Sequence, residues 1–350
     1  MKSLFIQLNQ NGEVTMFRAK FALKVLVCLG VVMVGQLRAD ERRDHPEVLD
    51  LFRPLGIQIQ DSVVQVLCGG SPVALGTVVA ADGYVMTKRS ELTSDPIRVR
   101  FSDGRLFPAR VAAVQRRNDL ALIRVDADII FKPLTFDTHS PEIATFLLSV
   151  GRAGRTIGLG VVGVRERSIK HQGRLGVLLE DDAKGRAIVQ LVIPESGAAI
   201  AGISPGDRIV AINGEEERSR DAVINRLKGM YPGESVRLTI LRPNELSDFD
   251  SIDVNAQIRD IGMLQESPSD TKVNGPRNMR LSGFERVIQH DTVLNPEECG
   301  GPVLDSQGRA IGINIARAGR VVSYLLPSSL ILHCVCANLR NTLVQIYVPT

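Results

Sequence analysis

The segment NPEECGGPVLDSQGRAIGINI, residues 295–315, contains the pattern on which the interpretation of the chain depends. Its Gly-Gly-Pro turn opens a short apolar strand, a polar turn follows, and a second apolar strand is predicted to pair back on the first. Two adjacent glycines allow backbone conformations that other residues avoid and let the chain approach another group closely. Cys299, just before them, would lie at a sharp, exposed bend beside backbone N–H groups. A nucleophile in acyl transfer needs that arrangement.

This loop resembles the nucleophile loop of the chymotrypsin-fold proteases, in particular the HtrA (Deg) family, where it reads Asn-Pro-Gly-Asn-Ser-Gly-Gly-Pro-Leu. Cys299 stands at the serine position, and Glu297 stands at the position of a glycine that helps form the oxyanion hole. Cysteine alone is compatible with catalysis, because cysteine proteases with this fold exist. Glu297, with Glu298 adding a second carboxylate, places negative charge where an oxyanion would develop, and this opposes catalysis.

Short alternating or apolar runs separated by Asp-Gly turns fill residues 62–125, a pattern typical of an antiparallel barrel. The resemblance implies a mostly β fold, a chymotrypsin-like double six-stranded antiparallel β-barrel. DGYVMTKRSE (82–91) matches the family's Asp-Gly-Tyr-Ile-Leu-Thr-Asn-Asn-His-Val, so Ser90 stands at the catalytic histidine position. NDLALIR (118–124) matches the family's Thr-Asp-Leu-Ala-Val-Leu-Lys, so the catalytic aspartate is retained as Asp119.

No obvious general base replaces the missing histidine. A serine hydroxyl does not take up a proton near neutral pH. Lys88 and His290 are the nearby alternatives, but a regular strand directs Lys88 to the opposite face, and His290 is expected to pack beside the nucleophile loop. Because Asp119 then has no histidine to orient, we interpret it as a turn or cap residue before a strand.

A different pattern, which resembles a PDZ domain of the HtrA type, occupies residues 171–260. Its most specific part is SGAAIAGISPGDRI, residues 196–209. Four residues correspond by resemblance to the loop whose N–H groups hold a peptide's terminal carboxylate: Leu175, Gly176, Val177 and Leu178. Consecutive N–H groups in a glycine-containing turn can hold an anion, and an exposed strand edge pairs with an extended peptide. The expected groove lies between the following strand and a helix at 219–230, in a domain inserted within the second barrel.

The predicted organisation has five parts. They are a signal peptide at 16–39 (with 1–15 upstream of the true start), an N-terminal arm at 40–59, a trypsin-like protease-fold domain at 60–168 and 281–345, the inserted PDZ domain at 171–260, and a polar, mobile linker at 261–280. The leader has a basic start, an apolar run and a small-residue cleavage site. Its apolar run is shorter than the ~20 residues that span a bilayer. We therefore expect export to the periplasm or the extracellular space, with a membrane anchor as the alternative.

Composition places the chain among soluble globular proteins, with 23% charged and 44% hydrophobic residues in 350. Residues 1–39 hold five cations and one anion, so the remainder of the +3 chain carries a net charge of −1. That balance gives no reason to expect nucleic acid as a partner. No cysteine spacing indicates a disulfide framework or a zinc site, and neither a metal nor a cofactor is predicted.

The sequence thus predicts an HtrA-like pseudoprotease that binds C-terminal or extended peptides, or unfolded proteins, through its PDZ domain in a chaperone or scaffold role. Loss of one catalytic member commonly costs ~10⁴ to 10⁶ in rate. One alternative is an active endopeptidase of envelope quality control that uses Cys299 with an unrecognised base. Another is a subunit that regulates an active relative. Family resemblance also implies a trimer formed through the N-terminal arm, where Phe52 is a candidate contact.

Overall fold

Two closed six-stranded barrels, a separate six-stranded sheet and a two-stranded ladder make up the β-structure of the computed structural model, which describes residues 45–245 and 248–335. The predicted signal peptide lies outside these residues. The strands are β1 Val63–Cys68, β2 Ser71–Val78, β3 Tyr84–Lys88, β4 Ile97–Arg100, β5 Leu106–Gln115, β6 Leu120–Val125, β7 Phe146–Val150, β8 Thr156–Ile169, β9 Gly173–Arg174, β10 Val177–Asp181, β11 Ala187–Val192, β12 Arg208–Ile212, β13 Glu215–Glu216, β14 Ser235–Pro243, β15 Phe249–Gln257, β16 Arg259–Asp260, β17 Phe284–His290, β18 Pro302–Asp305, β19 Ala310–Gly319 and β20 Val322–Pro327. The helices are α1 Pro46–Gln58, α2 Gly197–Ile200, α3 Arg220–Lys228, α4 Ile261–Leu264 and α5 Pro268–Asn274.

The first barrel has the strand order β1-β2-β3-β6-β5-β4 and is closed by the antiparallel pairing of β1 with β4. Its interior is filled largely by valines, with Ile97, Phe101, Ile123 and Phe131 among the other buried members. Branched side chains pack well on a pleated, half-buried surface, and this favours strands over helices here. The Asp82-Gly83 turn joins β2 to β3, with Gly83 at a φ of 92° that only glycine adopts easily.

The second barrel has the order β17-β20-β19-β18-β7-β8 and is built from two separate parts of the chain. Strands β7 and β8 come before the inserted sheet, and β17 to β20 come after it. Pairing of β17 with β8 and of β18 with β7 joins the two parts. The expected double barrel with an insertion between its second and third strands is therefore confirmed.

The inserted sheet has the order β10-β11-β12-β14-β15, with β13 paired to β12, and packs against α2 and α3. Its core is aliphatic and includes Leu238 and Ile240 of β14 and Val223 and Leu227 of α3. Strand β10 lies at the edge of this sheet. A short ladder between β9 and β16 closes the base of the domain, where the chain enters and leaves it.

Residues 46–58 of the predicted N-terminal arm form the helix α1, which we did not expect from the sequence. Phe52, Leu55 and Ile59 recur at helical spacing and pack against the barrel residues Val63 and Leu148. Packing against a core stabilises an amphipathic helix that looks weak by local sequence alone. Phe52, the candidate trimer contact, is partly buried in this cluster.

The segment 261–280, expected to be a linker, contains α4 and α5 and ends in a fully buried arginine. The guanidinium of Arg280 lies between the rings of Tyr231 and Phe284, 4.2 Å and 5.1 Å from their centroids. It donates to the carbonyls of Arg117 (2.7 Å) and Gly283 (2.5 Å). Arg280 therefore ties the inserted domain, the first barrel and β17 together.

No helix within residues 45–245 and 248–335 combines the length and the apolar composition needed to cross a membrane.

Candidate active site and peptide groove

Ser90 and Asp119 lie together because β3 and β6 are neighbouring antiparallel strands. Lys88, the last residue of β3, pairs with Leu120, the first residue of β6, so the loops at these two ends meet. The carboxylate of Asp119 accepts hydrogen bonds from the Ser90 amide at 3.0 Å and from the Ser90 hydroxyl at 2.8 Å. The two positions that resemble the catalytic histidine and aspartate are thus in direct contact, with a hydroxyl where the imidazole would be.

Lys88 does not point away from this pair, so our expectation for its side chain was wrong. Its Nζ lies 2.5 Å from Oδ2 of Asp119, and both side chains are fully buried. Strand β3 is buried along its whole length, so neither face offers the ammonium group access to water. A buried ammonium group needs a carboxylate partner, and Asp119 provides it. Asp119 therefore has two roles. It ends a 3-10 turn, where its φ is 59°, and it is the counter-ion of the buried Lys88.

The inserted domain covers the Ser90 side of this site. A Cβ atom on Gly233 would lie 3.0 Å from the Cβ of Ser90. Next to it, Glu234 is nearly buried and receives two hydrogen bonds of 2.7 Å from the guanidinium of Arg116, with Arg89 3.2 Å away. These charge-assisted contacts fix the loop at 233–234 against the first barrel.

Cys299 is fully buried, so our expectation of an exposed bend was wrong. Its thiol donates a hydrogen bond of 3.2 Å to Oδ1 of Asn278. Burial raises the pKa of Cys299 to about 12, and the positive charge of Lys88 offsets only part of this effect. Gly300, at a φ of 95°, follows the thiol, and a Cβ there would lie 2.0 Å from the Leu75 carbonyl oxygen, which is why a glycine is required.

We expect the Cys299 thiol to resist alkylation in the folded protein. With a pKa of about 12, only about one thiol in ten thousand is ionised at pH 8, and the thiolate is the reacting form. Mass spectrometry after iodoacetamide treatment should find Cys299 modified only when the protein is unfolded first. Rapid labelling of Cys299 in the native protein at pH 6 would contradict this picture.

The backbone around Cys299 is arranged differently from an open oxyanion hole. Residues Pro296–Glu298 form a 3-10 turn, and the Cys299 amide donates to the Pro296 carbonyl at 3.2 Å. In trypsin-like enzymes the nucleophile's amide is one of the two donors to the oxyanion. Here that amide already has an acceptor within its own turn.

The two glutamates of the loop have different surroundings. Glu297 is exposed, whereas Glu298 is nearly buried and pairs with Arg155 at 2.7 Å. The second oxygen of Glu298 accepts a hydrogen bond from the Asn295 amide at 2.8 Å. Glu298 therefore stabilises the closed turn, and its charge is paired, contrary to our expectation of a second free carboxylate.

Asn278 fills the space beside Cys299, a role that the sequence did not reveal. Besides the thiol, its Oδ1 accepts the Arg317 amide at 2.7 Å, and its own amide donates to the Arg317 carbonyl at 3.3 Å. Its side-chain amide nitrogen donates to Glu91 at 2.9 Å and to the Pro296 carbonyl at 3.2 Å. Every polar atom of this side chain is thus satisfied inside the cleft, and the residue is 1% exposed.

His290 is buried at the end of β17 and is held away from solvent. Its Nδ1 lies 2.9 Å from the Thr292 hydroxyl. Burial lowers the pKa of His290 to about 4, with only partial compensation from the negative charge of Asp291. The imidazole is therefore neutral at physiological pH and serves as a packed polar residue.

The depressed pKa of His290 predicts acid sensitivity. A histidine with a pKa of 6.5 when unfolded and about 4 when folded binds protons mainly in the unfolded state, so stability falls as pH drops below about 6.5. The loss from this group should reach about 2 kcal/mol between pH 7 and pH 5. Urea titrations at both pH values should give a smaller pH effect in His290→Gln, while His139→Gln, at an exposed position, should match the parent protein. Equal pH dependence in all three would contradict the assignment.

The four residues predicted to hold a peptide carboxylate border a cavity of about 470 Å³ between β10 and α3. Leu175 and Gly176 are buried at its end, and Leu178 is 53% exposed on the edge strand. Gly176 has a φ of 91°, and a Cβ there would lie 2.1 Å from the Cβ of Ser196, so the turn depends on glycine. Ile224 and Leu227 of α3 form the opposite wall. The geometry suits an extended peptide added to the β10 edge.

Comparison with known families identifies two domain types in this chain. A trypsin-like peptidase domain model matches residues 74–175, and a PDZ domain model matches residues 173–252. A probable DegP-like periplasmic serine endoprotease of Marinomonas sp. is 28% identical over 103 residues, covering 28% of this chain and 22% of that protein. The periplasmic serine endoprotease DegP of Salmonella typhimurium is 23% identical over 286 residues, covering 56% and 59% respectively.

The chain thus spans 22% and 59% of the length of these two relatives. Among solved structures, the MamO protease domain from Magnetospirillum magneticum superposes with a TM-score of 0.40 at 17% identity, covering 79% of this chain and 96% of that one. The two domain matches and the DegP relatives confirm the resemblance to HtrA-type proteases.

Proposed function

Because the chain joins a trypsin-like peptidase domain to a PDZ domain, as HtrA-type proteases do, we propose that it is an HtrA-like pseudoprotease. Its role in this proposal is to bind peptides or unfolded proteins through the PDZ groove, as a chaperone or scaffold. The observation that carries the proposal is the occupied cleft, where Asn278 holds the buried Cys299 thiol. In the described part of the chain, the Cys299 thiol is buried, its hydrogen-bond partner is Asn278 and not a general base, and its own amide already has an acceptor. Each of these features opposes acyl transfer, which needs an accessible nucleophile, a base and free donors for the oxyanion.

Three details support inactivity over the alternative of a cysteine endopeptidase. Ser90 offers Asp119 a hydroxyl in place of an imidazole. Lys88 forms a buried ion pair with Asp119, and this contact keeps its side chain from serving as the general base. His290 contacts Thr292, and its low pKa makes it a poor proton acceptor near neutral pH.

The cellular setting is part of the same proposal. Both relatives named above are described as periplasmic proteins. We infer export of this chain to the same kind of compartment, with cleavage after Ala39. The N-terminal sequence of the exported form should then begin at Asp40.

Peptide binding tests the functional half of the proposal. Labelled peptides with a free, apolar C-terminus should bind the full chain, and the same peptides with an amidated C-terminus should bind at least tenfold more weakly, since the amide carries no charge for the N–H loop. Leu178→Asp, on the exposed edge of the groove, should weaken binding. Ile130→Asp, at a fully exposed position elsewhere, should not. No binding by any peptide, or equal binding of acid and amide forms, would refute a peptide-carboxylate groove.

A further inference from the structure

The peptide groove has a wall that lies outside the PDZ sheet. Ile261 and Leu264 of α4 line the same cavity as Leu175 and Leu227. They follow the strand β16, which pairs with β9 directly before the carboxylate loop, and the Ile261 amide donates to the Gln172 carbonyl at 3.0 Å. The helix is therefore held at the end of the groove where the last residue of a peptide would lie. Both residues lie beyond the part of the chain that matches the PDZ model, residues 173–252.

The charged side chains that line the peptide groove are basic. The lining residues, all in the described part of the chain, include Arg174, Arg220 and Lys228 and no acidic side chain. Arg174 directly precedes the carboxylate loop, and Lys228 ends α3 on the same side, where its carbonyl oxygen lies 3.0 Å from the His171 ring. Arg220 lies at the other end, 3.4 Å from Asp181, the last residue of β10.

The position of Arg220 beside the end of β10 determines which residue of a bound peptide it can contact. A peptide pairing antiparallel with β10 has its last residue near Val177 and its earlier residues near Leu179 to Asp181. At about 3.3 Å per residue, Arg220 faces a side chain two to four residues before the C-terminus. The contacts that Arg220 makes with Asp181 and Asp221 are long, 3.4 and 3.5 Å, and both acids are exposed, so a ligand carboxylate can compete with them.

We propose, building on the peptide-binding function above, that among peptides with a free, apolar C-terminus the groove selects those with an aspartate or glutamate two to four residues upstream, and that α4 sets the size of the last side chain. Leu264 and Ile261 form the far wall of the pocket for the last side chain. Arg220 recognises the acidic residue.

Peptide series on the full chain test this selection. Changing the last residue from leucine to alanine should weaken binding about tenfold, because most of the leucine side chain leaves the apolar pocket. Leu264→Phe should penalise leucine-ended peptides while leaving alanine-ended peptides unchanged, and Leu264→Ala should reduce the preference for leucine. Val273→Ala, at an exposed position on α5, is the control and should change neither.

The acidic position is tested in the same way. A glutamate-to-glutamine change in the peptide should weaken binding about three- to fivefold with the parent protein and not at all with Arg220→Gln. Arg218→Gln, on an 87% exposed side chain, is the charge-matched control and should keep the preference for glutamate over glutamine.

Circular dichroism of each variant verifies that the fold is intact. If free-acid peptides bind but the Leu264 and Arg220 variants leave both preferences unchanged, this inference is overturned while the peptide-binding function stands; if no peptide binds, the function itself fails.

Discussion

Asp119→Ala is expected to lower the free energy of unfolding by about 3–5 kcal/mol, because it leaves the buried ammonium of Lys88 without a partner. The fully buried Arg280, 3.9 Å from the same carboxylate, loses its nearby anion as well. Ser90 would lose both of its hydrogen bonds to Asp119. Chemical denaturation of the purified variant, followed by circular dichroism, measures the effect.

The matched control removes both charges together. Lys88→Met combined with Asp119→Leu should recover much of the lost stability, since apolar residues of similar size often replace a buried ion pair without cost. Ser90→Ala should cost far less than Asp119→Ala, because it removes one neutral donor. A near-neutral Asp119→Ala would contradict the assignment of Asp119 as a structural anion.

Peptide binding in the PDZ groove is expected to change hydrogen exchange at residues 291–301, which include Cys299. The physical path is the segment 261–280. At its start Leu264 lines the groove, in its middle Glu266 forms an ion pair with Arg277, and at its end Asn278 holds the Cys299 thiol. A ligand shifts such an equilibrium only by its different affinity for the two states. A coupling of ~1–3 kcal/mol would appear as a changed opening free energy.

The comparison peptide has the same sequence with an amidated C-terminus and should leave exchange at residues 291–301 as it is in the free protein. A second control is Arg277→Gln, which breaks the link to Glu266 while leaving the groove residues in place. It should reduce the coupling without abolishing peptide binding. If the free-acid peptide protects the groove while exchange at residues 291–301 is unchanged, the inserted domain binds peptide without affecting the Cys299 loop, and the expected coupling is wrong.

The fold could be derived from sequence because its signals are local. Short branched strands with Asp-Gly turns indicate a barrel, and the abrupt change of pattern at residue 171 marks the insertion. Helix α1 was missed because Pro54 and Gly56 lower the helix propensity of this segment, and packing of Phe52 and Leu55 against residues of both barrels stabilises it. Propensity is a weak guide where tertiary contacts decide.

The candidate site could be predicted only in part, for a similar reason. Motif spacing located Ser90, Asp119, Cys299 and the loop at 175–178. It did not reveal Asn278 or the direction of Lys88, because these depend on contacts between parts of the chain about 20 to 190 residues apart. A polar residue in a polar segment gives no local signal that it will be buried. Its burial is stable only when hydrogen bonds within the protein replace those it made with water.

A proteolysis assay decides whether the chain is a pseudoprotease. The purified protein should be incubated with an unfolded, casein-type substrate, alone and with a groove-binding peptide, beside Cys299→Ala. We expect degradation at background level in every case and no difference between the parent protein and the variant. Turnover by the parent protein that Cys299→Ala abolishes, with or without peptide, would contradict it and identify the chain as an active cysteine endopeptidase.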